Sequence, residues 1–358
     1  MKSKENSKVS PTSFQIAELK RLAAGIIRVQ GNRFIKELLR DKEIRLGTNK
    51  DDFEHNFNEA IESGRLVLAD VEAWLTSIEG WGDQHVYLYK LSLELQSNLT
   101  PANVRKRVQQ AGLDHVWNQS TALAFPQEPT LTSISFTDSV FRVIWQEASP
   151  AWTPTPEKDY VKDEGLDTYE YRAYRRVEHR AITRFEAHLD KGLAGLFIPK
   201  PIQGSEHQTA IDEALRVLDQ LLDLQVLQSG QLDVSIISKN LDQANAIGNQ
   251  QSKPAITTQK SRLSSGGSYI EFAAEDSDKG YGEEPAIQNV RLSVRSQQLS
   301  SFQGTEGVFI FQPESFPGSL SRPLRVQLYG RGKKRIRLWA QMNSGEVWTI
   351  LTKLSKYA

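Results

Sequence analysis

The chain has 358 residues with 44 Lys and Arg against 44 Asp and Glu, 39% hydrophobic and 25% charged residues, and no cysteine. That length supports two or three domains with real cores. The charge balance argues against a uniformly basic DNA-coating protein, and the cysteine count excludes disulfides, zinc–thiolate sites and thiol nucleophiles. No apolar run approaches a membrane span, and "MKSKENSKVSPTS" reads as a polar tail over residues 1–13 rather than a signal peptide. The expectation is a protein that is not secreted and is either cytoplasmic or nuclear/nucleoid.

From Phe14 the pattern is helical. "FQIAELKRLAAGIIRV" spaces Phe14, Leu19, Leu22, Ile26 and Val29 as one helix does, and "RFIKELL" continues it. "TNKDDFEHNFNEAIESG" carries Thr48 and Asn49 as caps, Asp51 and Asp52 in the first turn, and Gly64 as its stop. "ADVEAWLTSIEGWG" is another helix, whereas "VYLYKL" fits a strand or a buried turn equally. "LTPANVRKRVQQAG" has Thr100 as cap, Pro101 at the first helical position and Gly112 past the end.

The pattern changes near Pro126. "LTSISFTDSVFRVIWQEAS" reads as one or two strands, and a Pro-rich loop follows. The stretch from Thr168 to Pro199 alternates as two antiparallel strands. "AIDEALRVLDQLLDLQVL" puts Ile211, Leu215, Leu218 and Leu222 on one helical face. Residues 240–268, rich in Gln, Ser, Asn and Gly, read as a flexible linker or loop. Strands are expected at "YIEFAAEDSDKGYGEE", "NVRLSVRS", "GVFIFQP", "LRVQLYG" and "RIRLWAQM". The last helix, "NSGEVWTILTKLSKY", has Asn343 and Glu346 at capping-box spacing. The fold class is therefore α+β: a helical N-terminal domain over 14–95, a basic helix plus mixed-sheet middle domain over 96–239, and a β-rich C-terminal domain with a terminal helix over 269–358.

Three basic stretches invite a functional reading. Leu324 to Met342 holds six cationic side chains and no carboxylate. With "RGKK" as a hairpin connection, side chains alternate, so Ile336, Leu338 and Ala340 face one way and Arg335, Arg337 and Trp339 the other. Together with Arg331, Lys333 and Lys334, that stripe is a candidate partner-binding or anion-binding face. Its competitor is a solvated outer face beside an acidic segment. Arg172, Arg175, Arg176, Arg180 and Arg184 interleave with Tyr169, Tyr171 and Tyr174, which suits stacking plus phosphate contacts and equally suits an exposed sheet edge. Arg105, Lys106 and Arg107 fan around one helix, so at most two address a single groove.

Enzyme signals are poor. Glu186, His188 and Asp190 in "EAHLD" form the one acid–base or metal trio worth weighing, and no second ligand motif accompanies them. Phosphate-loop, nucleophile-elbow and kinase signatures are absent from the sequence. The expectation is a non-enzymatic protein with no cofactor, no metal and no small-molecule substrate.

The stretch "NKDDFEHNFNEAIESGRLVLADVEAWLTSIEGWGDQHVYLYKL", then "PANVRKRVQQAG", then "TSISFTDSVFRVIWQEAS", resembles the centromere protein N family of kinetochore proteins over roughly Phe14 to Ile198. The resemblance implies a pyrin-like helical domain, a basic helix, a β-rich homology domain and a C-terminal region that pairs with a related partner protein. It also implies a DNA groove lined here by Lys20, Arg21, Lys50, Arg105, Lys106 and Arg107, extended by Arg172, Arg175, Arg176 and Arg180. A family lysine at the end of the helical domain corresponds to His85. The favoured expectation is a DNA-binding adaptor. The alternative is a protein-interaction adaptor without nucleic acid, in a multiprotein assembly such as one for bacterial defence.

Overall fold

The computed structural model describes residues 13–119, 125–200, 206–246, 254–262, 269–274, 285–287, 289–290, 293, 303–330 and 334–358. It is an α+β protein that divides into two compact units. Unit 1 comprises residues 1–79, 120–130 and 146–181, and unit 2 comprises 80–119, 131–145 and 182–358.

Unit 1 begins with four helices: α1 (Ser13–Val29), α2 (Asn32–Asp41), α3 (Lys50–Glu62) and α4 (Leu68–Ile78). The start of α3 follows the cap chemistry written in the sequence. The Asn49 side chain accepts from the Asp52 amide while Asp52 reaches back, a reciprocal capping box that holds the first turn of α3. Leu19, Ile27, Phe34, Phe53, Phe57 and Trp74 fill the core between the helices. The same unit contains a two-stranded hairpin, β4 (Tyr160–Glu164) and β5 (Asp167–Tyr171), in which Tyr160 pairs with Tyr171 and Glu164 with Asp167. Gly165, at φ +68°, opens its two-residue turn, the position where such turns need a left-handed backbone.

A large sheet lies mostly in unit 2, with its residues 130, 146–154 and 174–181 belonging to unit 1. Its strands are β1 (Gly82–Lys90), β2 (Thr130–Thr137), β3 (Val140–Pro154), β6 (Tyr174–His188), β7 (Leu193–Pro199), β8 (Ala255–Arg262), β9 (Tyr269–Ala273), β10 (Gln303–Phe311), β11 (Leu324–Tyr329) and β12 (Arg335–Gln341). The order across the sheet is β2-β3-β6-β7-β1-β12-β11-β10-β8-β9. The undecided "VYLYKL" is thus part of the central strand, paired antiparallel with β7 on one side and β12 on the other. The expected boundaries at 95/96 and 268/269 both fall inside this unit, because β1 joins middle and C-terminal strands in one hydrogen-bonded ladder.

The unit also contains helices α5 (Leu93–Asn98), α6 (Pro101–Gln110), α7 (Glu206–Leu221), α8 (Leu224–Ser229), α9 (Val234–Ala246) and α10 (Ser344–Ser355). The sheet separates two cores. On one face Val86, Leu88, Phe197, Ile336 and Leu338 pack with α9 and α10 residues such as Ile237, Trp348 and Leu351. On the other, Tyr89, Phe141, Phe185 and Leu196 pack with α6 and α7 residues such as Val104, Val108 and Leu218. Thr100 caps α6 by accepting from Asn103, and Asn343 and Glu346 form the expected box at α10.

Two expectations need correction. The segment expected as a loop from 240 includes the end of α9 and the whole of β8, because the apolar face of Ile237 and Leu241 and the ladder to β10 order it; residues 247–253 and 263–268 lie outside the described residues. "NVRLSVRS" was expected as a strand, yet Asn289, Val290 and Ser293 are helical. No helix among the described residues is long and apolar enough to cross a membrane.

Candidate anion-binding face

The register of unit 2 decides what the terminal hairpin presents. In one row across the sheet His85, Arg337 and Gln327 stand side by side, and in the next Arg335 stands beside Tyr329. Residues in register share a face of the sheet. Ile336 and Leu338 are fully buried on the opposite face, so the alternation expected for β12 holds, with Arg335, Arg337 and Trp339 outward and Trp339 exposed. Lys334 is exposed and takes a positive φ at the start of β12; Arg331 and Lys333 lie outside the described residues.

The contacts among these side chains are aromatic. The Arg337 guanidinium lies 3.9 Å from the Trp339 ring centroid and Arg335 lies 5.1 Å from that of Tyr329. Arg335 donates to the Tyr87 hydroxyl. That hydroxyl is 3.1 Å from Nε2 of His207, at the start of α7. The His207 ring meets His85 edge-on at 4.9 Å, and both rings are more than nine-tenths buried with Nδ1 unpaired.

Electrostatics follow from this crowding. Burial, then the charges of Arg335, His207, Arg337 and Lys200, push the His85 imidazole down to about 3. Burial and Arg335 lower His207, and burial raises Tyr87. All three are neutral at pH 7, while the guanidiniums keep their charge. Asp83 reaches Arg337 only at 3.9 Å, and Glu306 stands opposite Tyr329 on β10. The face therefore offers a cation excess flanked by flat rings, the arrangement that takes phosphate oxygens between stacking surfaces. Sequence reasoning found Arg335, Arg337 and Trp339. It missed Tyr87 and His207 as members, because only the ladder from β12 to β1 and the docking of α7 bring them there.

The remaining expected nucleic-acid residues separate into groups. In unit 1, Lys50 is turned inward: its ammonium donates to the carbonyls of Ile27 and Gln30 at the C-terminal end of α1, and burial, then Arg28, lower its pKa to about 8. Arg180 is buried and forms a two-pronged pair with Glu79, which removes it from any surface role. Lys20 pairs with Glu62, and Arg172 pairs with Glu170. Arg21 lies 4.5 Å over the Phe125 ring, while Arg175 and Arg176 are exposed. In unit 2, Arg105 pairs with Asp114 at 2.8 Å and covers Trp117, Lys106 is exposed, and Arg107 is half-buried.

The "EAHLD" trio is no metal site. Glu186 is buried and receives hydrogen bonds from Arg142, from Trp348 Nε1 at 3.0 Å and from His188 Nε2 at 3.3 Å, while Asp190 pairs with Lys191 and lies 3.8 Å from His188 Nδ1. Burial raises the Glu186 pKa, but His188, Arg184 and Arg142 outweigh it and hold the carboxyl at about 2. Among the described residues no group of three or more His, Asp or Glu is placed to hold a metal ion. No protein-family model matches the chain, and no curated protein matches it.

Proposed function

We propose that the protein is a non-enzymatic DNA-binding adaptor that takes the phosphate backbone on the β11–β12 face of unit 2. The reading rests on one observation: Arg335, Arg337, Tyr329 and Trp339 share an outward face in adjoining rows, while the two histidines beside them are held uncharged. Guanidiniums neutralise phosphates and release counterions, and the rings stack on bases or sugars. The helical part of unit 1 is read as the pyrin-like domain that the centromere protein N resemblance implies, with Arg175 and Arg176 as auxiliary contacts. Fluorescence anisotropy with a labelled duplex and a labelled single strand tests the proposal. Affinity should fall steeply between 50 and 200 mM salt, as counterion release requires. Failure of folded protein to bind either probe at low salt would remove it.

A second reading, a protein-interaction adaptor, is favoured by the β4–β5 hairpin. Every residue of both strands is exposed, Leu166 at the tip is fully solvated, and Tyr160 stacks on Tyr171 at 4.7 Å. Asp163, Glu164, Asp167 and Glu170 face a single lysine, Lys162, within the hairpin. An acidic, aromatic arm repels phosphate and suits a basic protein surface. Co-purification of a protein partner that survives nuclease treatment and is lost on deleting the hairpin tip would favour this reading.

A further inference from the structure

Exposed apolar surface gathers on the arm of unit 1 that runs from the end of β3 through the β4–β5 hairpin to the start of β6. Of fourteen exposed large apolar or aromatic side chains among the described residues, seven lie between Trp152 and Tyr174. Such a concentration marks an interaction surface. The hairpin has no core of its own. Every residue of β4 and β5 is exposed, and a two-stranded ribbon is marginally stable alone in water. Its base is tied down by the Thr155 amide, which donates to the Ala173 carbonyl, and by the Asp159 carboxylate, which accepts from the Ala173 amide.

Charge is sorted along this arm. In the hairpin Lys162 pairs with Glu164 at 2.5 Å and Arg172 with Glu170 at 3.3 Å. Asp163 accepts from the neutral Thr168 hydroxyl, and Asp167 stands opposite Glu164 beside the turn. Both carboxylates at the tip therefore keep an uncompensated charge. At the base, Arg175 and Arg176 lie near the start of β6 and are exposed, and among the described residues neither has an ion-pair partner. Adjacent rows of a ribbon point to opposite faces, as do successive residues of a strand. The tip is thus acidic on both sides, through Asp163 and Asp167, and the base is cationic on both sides, through Arg175 and Arg176.

We propose that this arm pairs with the same arm of a second copy of the chain, antiparallel, with each acidic tip on the partner's cationic base. A two-fold arrangement makes both tip-to-base contacts at once, because an isologous interface uses each patch twice. Each arm carries five exposed aromatic rings, Trp152, Tyr160, Tyr169, Tyr171 and Tyr174, with about half of their surface in solvent. At roughly 150–250 Å² per ring, two arms can supply the roughly 1,000 Å² that a specific interface buries. A second copy suits the arm better than an unrelated protein because the counter-charge is written in the same segment, Arg175 and Arg176 answering Asp163 and Asp167. This pairing rests on the second reading, of the hairpin as a protein-contact arm. It names the partner and assigns Arg175 and Arg176 to that contact rather than to DNA.

Sedimentation velocity of the full chain over a micromolar concentration series tests it. The mass should rise from that of one chain toward that of two. Asp163→Lys with Asp167→Lys should weaken the dimer by roughly tenfold or more, and Arg175→Glu with Arg176→Glu should do the same, since like charges brought face to face disfavour association. An equimolar mixture of the two charge-reversed proteins should recover the dimer, because each tip then meets a base of opposite sign. That recovery also shows that neither variant lost association by misfolding. A mass fixed at one chain, a dimer indifferent to both reversals, or a mixture that stays monomeric would each overturn the self-pairing. Should the monomer still capture a nuclease-resistant partner through the hairpin, the contact-arm reading survives without self-pairing; should it capture none, both fall.

Discussion

The Glu186 cluster and the His85 cluster use nearly the same side chains to opposite ends. Each combines arginines, an imidazole and a large aromatic ring in unit 2. Around Glu186 a buried carboxylate supplies the counter-charge, so Arg142 and Arg184 are structural and the histidine acts as a spacer. Around His85 the cationic field meets two imidazoles that yield by staying neutral, and the guanidiniums of Arg335 and Arg337 lie over the Tyr329 and Trp339 rings. A cation in a sequence is therefore informative about ligands only once its internal partner is known.

The sharpest way to break the comparison is Glu186→Gln. Removing the acid takes the counter-charge from the buried Arg184 and the partly exposed Arg142, and loss of one partner from a buried pair costs about 3–5 kcal/mol. Urea unfolding at pH 7 should show a midpoint shift of that size with an unchanged slope. If the variant is within about 1 kcal/mol of the parent, the cluster is not structural.

Acid titration separates the two regions next. The His85 imidazole has a folded pKa of about 3, below its ordinary 6.5, so the unfolded chain binds the proton first. Stability should be fully present above pH 6.5 and fall by up to about 1.4 kcal/mol per pH unit as pH drops toward 3. His85→Gln should lessen that slope and leave the contributions of His207 and His179, which burial lowers as well. Glu186 has the same sign in a lower window, with stability present above about pH 4.5 and lost toward pH 2, so Glu186→Gln should leave the slope between pH 5 and 6.5 intact.

Lys50→Met sharpens the contrast from the other unit. It removes two hydrogen bonds to the end of α1, at a cost of about 1–2 kcal/mol, and should leave DNA affinity unchanged in anisotropy titrations. Arg337→Ala should do the reverse: melting shifts by less than about 1 kcal/mol, while DNA binding weakens several-fold and the salt slope falls by about one.

The local signals were legible because they are local. Asn49 with Asp52, Thr100 with Asn103, and Asn343 with Glu346 each satisfy helix-end amides within three residues, so chain order alone exposes them. The alternation of β12 was readable for the same reason, since a pleat turns successive side chains to opposite faces. The strand reading failed locally, at Asn289 and Val290, which are helical.

What the sequence by itself determined was the class of the fold, the ends of its helices and the stripe of Arg335, Arg337 and Trp339. Tertiary structure decided which charges are spent. Glu79 meets Arg180 across 101 positions, Trp348 meets Glu186 across 162, and Tyr87 meets His207 across 120. Such pairings are set by strand order and helix docking, which no short-range pattern encodes, and Coulomb energy depends on those final distances and on burial rather than on the order of residues in the chain.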